Sequence, residues 1–123
     1  MKRLVIGVNN VKEIKFRIWD KEENKMINGN DFTFDEYAPL NDLFYNNSKK
    51  FDFMQYIGLK DFNGVEIYEG DILEGENDYQ GVVIFENGMF LVDTSYGIYF
   101  LNLERNIRVI GNKYENPELL EEE

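Results

Sequence analysis

Two Asn-Gly pairs, Asn63-Gly64 and Asn87-Gly88, constrain this chain more than any other feature. A type I′ turn needs positive φ at both central residues, and Asn-Gly supplies it at least cost. Each pair therefore predicts a tight β-hairpin. The flanking residues agree. Ile14-Lys15-Phe16-Arg17-Ile18-Trp19 alternates, with Ile14, Phe16 and Ile18 on one face and Lys15, Arg17 and Trp19 on the other. That period of two marks a half-buried strand. A polar turn over 20–25 leads to Met26-Ile27 as its return strand. Further strands are expected over 53–58, 65–68, 72–73, 81–86, 89–93, 96–100 and 107–111, with Gly58 and Gly70 as structural glycines between them. Short strands at this spacing predict a mainly β fold, a small antiparallel barrel or sandwich.

Helical signals are few. Asp35-Glu36-Tyr37 or Asn41-Asp42-Leu43-Phe44 suits a short turn of helix, limited by Pro39, within the poorly patterned stretch 28–48. One helical or 3-10 turn fits 101–106. Asn116-Pro117-Glu118 has a helix-start signature, with Asn as N-cap and Pro at the first helical position.

The chain has 123 residues, room for one domain. It has neither Cys nor His and a net charge of −11. A disulfide framework, a thiolate metal site and imidazole chemistry are thereby excluded. The charge sign disfavours DNA phosphate and anionic lipid as partners. The apolar run near the N-terminus is too short for a signal peptide, and nothing approaches a membrane span, so an intracellular, cytoplasmic location is expected.

Catalytic motifs are thin. No phosphate-binding glycine loop occurs. Ser95 sits in a weak nucleophile-elbow likeness without a His to activate it. The run from Asp20 to Asp31 has EF-hand spacing, but Lys25 stands where Gly is required, so a solvated hairpin turn fits better. Asp61, Glu66, Glu69, Asp71, Glu74, Glu76 and Asp78 lie in a stretch without Lys or Arg. A carboxylate pair there could serve hydrolysis or Mg²⁺, but solvated strand exteriors explain it more simply. Asp71, at a strand entrance, is expected to bond turn backbone. No catalytic residue, metal or cofactor is assigned.

Binding is better supported. Trp19, Tyr56, Tyr68, Tyr96 and Tyr99 can offer stacking surface, and Arg17 and Arg108 can bind phosphate beside aromatic rings. The plain alternative for the arginines is charge balance at the surface. Charge is also uneven: residues 1–25 carry +3 and the remainder −14, which favours head-to-tail or subunit contacts. Glu115, Glu118, Glu121, Glu122 and Glu123 account for five of the negative charges, leaving −6 on residues 1–114.

The segment Met54-Gln55-Tyr56-Ile57-Gly58-Leu59-Lys60-Asp61-Phe62-Asn63-Gly64-Val65-Glu66-Ile67-Tyr68-Glu69-Gly70-Asp71-Ile72 resembles the signature of the YopX family of phage and prophage proteins. Ile14-Lys15-Phe16-Arg17-Ile18-Trp19-Asp20-Lys21 resembles the family's opening strand. Its ending is similar to Val109-Ile110-Gly111-Asn112-Lys113-Tyr114-Glu115-Asn116-Pro117-Glu118-Leu119-Leu120, which adds Asn112 and Tyr114 to the candidate binding residues. The resemblance implies an SH3-like barrel over 66–112. The expected organisation is an N-terminal extension (1–13) and one domain (14–123). That domain comprises a hairpin and variable region (14–53), a barrel core (54–112) and an acidic tail with a short helical turn (113–123). No catalytic residue follows from it.

The function expected is a non-enzymatic intracellular phage protein that binds or regulates a protein partner and self-associates as a homo-oligomer. Three alternatives stand behind it. These are an acidic nucleic-acid mimic, a sponge for a small nucleotide held by Arg and Tyr, and a carboxylate enzyme.

Overall fold

Asn87 and Gly88 both adopt positive φ, 52° and 77°, and close a two-residue hairpin as their chemistry dictates. Asn63-Gly64 differs. Only Gly64 is left-handed, at 82°. Asp61 occupies the first position of the turn, its carbonyl accepting from Gly64 N at 3.0 Å, and Asp61 N donates to Val65 O at 2.8 Å. This is a three-residue connection with glycine at its last position, one residue longer than a type I′ turn.

The computed structural model describes residues 13–32, 49–76, 79–101 and 106–121. The turns proposed at Asp35, Asn41 and most of 101–106 lie outside them. The elements are β1 (Phe16–Asp20), β2 (Lys25–Asn28), a 3-10 turn (Gly29–Asp31), β3 (Phe51–Lys60), β4 (Glu66–Tyr68), β5 (Asp71–Glu74), β6 (Gln80–Glu86), β7 (Met89–Thr94), β8 (Gly97–Phe100), β9 (Arg108–Asn112) and a second 3-10 turn (Pro117–Leu120).

The strands form two antiparallel sheets, ordered β2-β1-β3-β4 and β8-β7-β6-β5-β9. The fold is mainly β, and the second sheet curls into an SH3-like half-barrel. β3 runs without a break across residue 53 and pairs with both β1 and β4. Its register slips between Tyr56 and Lys60, where Gly58 takes a φ of 89°. Such a bulge bends the strand. β4 therefore belongs to the first sheet, although its Ile67 completes the half-barrel core with Leu73 and Val83. Ile18, Met54 and Ile72 are also buried.

Asn116 does not cap the last turn through its side chain. Its Oδ1 accepts instead from Asn112 N at 3.1 Å. Asn112 Oδ1 in turn accepts from Tyr114 N and Glu115 N, so the two asparagines fold the end of β9 back on the body.

Gly81 has no room for a side chain. An added Cβ would lie 2.3 Å from Val92 Cγ1 and 3.0 Å from Asp93 O. Gly81→Ala is expected to destabilise the half-barrel by about 1–3 kcal/mol, measured as a lower urea midpoint.

Candidate functional site

Arg17 was placed by alternation on the polar face of β1. In the folded chain that face is the junction between the sheets. Arg17 Nη2 meets Asp71 Oδ1 at 2.7 Å, and the two side chains are only 16% and 2% exposed. The same nitrogen donates to Glu69 O at 3.1 Å, and the guanidinium lies 4.9 Å from the Tyr68 ring centre. Asp71 Oδ2 accepts from Tyr68 N at 2.7 Å, the turn-binding role expected of it. Burial pushes the Asp71 carboxyl up, against the pull of Arg17. The burial of Arg17 corrects surface charge balance as its account. Arg17 is a buried pin from the first sheet to the second.

The other predicted residues on this junction follow suit. Tyr56 and Tyr68 are 5.5 Å apart, and Lys15 lies over Tyr56. Lys15 Nζ also pairs with Glu66 at 2.6 Å and Glu13 at 3.0 Å, and these carboxylates hold its pKa well above the ordinary lysine value. Trp19 stacks on Tyr114 at 5.3 Å, and Tyr114 Oη donates to Asp52 Oδ2 at 2.9 Å. Burial first, then Asp52, pushes the Tyr114 phenol up. Arg17, Trp19, Tyr56, Tyr68, Asp71, Asn112 and Tyr114 thus all stand at or beside one seam. Arg108 does not. It lies on the half-barrel, paired with Glu74.

Several of the acidic residues are individually engaged. Glu69 Oε1 accepts from Gln55 N at 3.0 Å, and burial raises its carboxyl. Asp20 Oδ1 accepts from Glu22 N and Glu23 N, which makes the EF-hand-like run a hairpin turn. In the sequence Asp61 is one acid among several, yet in the fold it organises the signature segment. Its Oδ1 accepts from Asn63 N and Val65 N, and its Oδ2 from Val109 N, each at 2.8 Å. Burial acts to raise its pKa, but those backbone N–H groups prevail and hold it below the ordinary value. Asp at the first turn position with Gly three residues on was the available signal. Among the described residues, no group of three or more acidic side chains could hold a metal ion, and no helix is long and apolar enough to cross a membrane.

The concavity that remains was not anticipated as a unit. A groove of about 710 Å³ lies on the curled sheet, floored by Leu73, Gly81 and Val92. Tyr79, Tyr96, Tyr99 and Phe100 wall it, each more than half exposed. Tyr79 and Tyr96 meet edge to face at 5.4 Å, and Tyr99 Oη donates to Tyr96 O at 3.1 Å. Thr94 Oγ1 donates to Gly97 O at 2.8 Å and accepts from Tyr96 N at 3.1 Å, which fastens the turn carrying Tyr96. The groove is therefore aromatic, open and held in place. Tyr96 and Tyr99 were candidate stacking residues, but sequence distance concealed that Tyr79 joins them.

Comparison with known proteins agrees with this architecture. The crystal structure of protein EF1440 from Enterococcus faecalis is similar at 30% identity, with a TM-score of 0.64, over 90% of this chain and 100% of that one. That of protein yopX from Bacillus subtilis is similar at 26% identity, with a TM-score of 0.57, over 89% and 97%. Among curated proteins none matches. The model of the YopX protein family matches residues 15–121, and the chain belongs to that family.

Proposed function

We propose that this chain is a non-enzymatic binding or regulatory protein of phage or prophage origin, acting inside the host cell through protein–protein contacts. The aromatic groove on the half-barrel carries this reading. Tyr96, Tyr99 and Phe100 are large, exposed and carried on a hairpin whose turn Thr94 fastens, the kind of surface that supplies binding energy at protein interfaces. Two further observations support it. Asp61, Glu66, Glu69 and Asp71 each have a structural partner, which weighs against the carboxylate-enzyme reading. Arg17 is paired with Asp71 and Arg108 with Glu74, which weighs against nucleotide capture by these two arginines.

The test is capture from infected-host lysate with the wild-type chain and with the Tyr96→Ala/Tyr99→Ala variant, alongside native mass measurement of the oligomer. A partner retained by the wild type and lost from the variant is expected. Equal capture by both removes the groove from the reading, and no capture by either removes the protein-contact reading itself.

A further inference from the structure

β8 is the last strand of the half-barrel, and among the described residues it pairs only with β7. All four of its residues are exposed. Ile98, Tyr99 and Phe100 are 51%, 54% and 75% accessible, so apolar surface flanks the edge on both faces. Sheet proteins ordinarily protect such an edge with a charge, a proline or a bulge. Gly97-Ile98-Tyr99-Phe100 has neither charge nor proline, and it pairs with β7 in unbroken register from Leu91↔Phe100 to Thr94↔Gly97.

Among the described residues, acids stand beside this edge: Asp93 lies opposite Ile98 on β7, and Glu76 lines the groove. From residue 61 to residue 104 the sequence holds ten Asp or Glu and no Lys or Arg. Every strand from β4 to β8 is therefore without a basic side chain. In the half-barrel sheet the basic group is Arg108 on β9, which already faces Glu74. A second copy joining through this same sheet would set acidic strands against each other, and like charges across an interface are unfavourable.

We infer that the edge of β8 left unpaired among the described residues accepts, as an added sixth strand, an extended apolar segment bearing Lys or Arg from another protein. The inference rests on the protein-binding reading above and gives its partner a chemistry. Main-chain hydrogen bonds to β8 would supply affinity, the groove beside Tyr99 and Phe100 would take alternate side chains, and the acidic surroundings would select basic ones.

The probes are a short synthetic peptide of alternating Val and Lys and its Val–Glu counterpart. The readouts are fluorescence anisotropy and amide hydrogen exchange. The Val–Lys peptide should bind about tenfold or more tightly than Val–Glu, and added salt should weaken it. Its binding should slow exchange at Ile98, Tyr99 and Phe100. Ile98→Lys and, separately, Phe100→Lys place a like charge on an exposed position and should each remove that binding without moving the thermal midpoint. Equal binding of both peptides overturns the inference. So does protection of β8 by self-association alone, seen by sedimentation without peptide. If the peptides fail while Tyr96→Ala/Tyr99→Ala still loses its lysate partner, the protein-binding reading stands and the added strand falls.

Discussion

Asp71→Ala is expected to lower stability by about 3–5 kcal/mol, because it leaves the Arg17 guanidinium buried without its counter-charge. Arg17 Nε has no partner of its own, so the cation depends on what Asp71 and Glu69 O provide at Nη2. Arg17→Met should cost less at low pH, since the carboxyl it abandons can take a proton. Burial already raises the Asp71 carboxyl above its unfolded value, so the folded state holds that proton more tightly. The contribution of such a group is full below the unfolded carboxylate range and falls as pH rises through the folded value. Without Arg17 that fall steepens. The variant should lie nearest to wild type around pH 4 and furthest from it around pH 7. Urea denaturation at both values checks the sign, and Arg17→Met/Asp71→Leu should lose clearly less than the two single losses added together.

Asp61→Ala is expected to cost about 3–5 kcal/mol as well, for a different reason. Three backbone N–H groups lose a charged acceptor, and one of them, on Val109, belongs to a strand almost fifty residues away. Asp61→Asn should recover little, since one of its two side-chain positions becomes a donor facing another donor. The pH dependence runs opposite to that of Asp71. The folded pKa of Asp61 is depressed, so its contribution is complete above the unfolded carboxylate range and is lost as pH falls through the folded value. Wild type should lose stability on acidification, and Asp61→Ala should flatten that acid limb.

These two acids show where sequence reading stopped. Both were visible as carboxylates in a stretch without bases. Nothing in a period-two pattern says whether the polar face of a strand meets water or a second sheet. Arg17 beside Trp19 consequently looked the same as a surface charge, although Asp71 and Tyr68 cover Arg17 in the fold and Tyr114 covers Trp19. Local chemistry was more legible. Asn87-Gly88 carries its turn type in two residues, whereas the turn at Asn63-Gly64 is set by Asp61, two residues earlier. Arg108 was grouped with Arg17 by residue type, and the register of β9 against β5 sends it to Glu74 instead. Tyr79 joins Tyr96 across the curl of the sheet, a proximity that neither spacing nor composition expresses.

The seam also dictates an order of events for the growing chain. The hairpins β1–β2, β6–β7 and β7–β8 join neighbours in sequence and can close as soon as each is made. The stacking of Trp19 on Tyr114 cannot. It unites the first strand with a turn held by Asn112 near the far end, and the Tyr114 bond to Asp52 spans 62 residues. Contacts of such separation bear the full entropy of loop closure and slow folding. On the ribosome, Arg17 and Asp71 can join the sheets once residue 71 has emerged, whereas the Trp19 latch must wait for Tyr114. A chain cut short before Tyr114 would carry most of its hairpins and none of the stacking that fastens Trp19.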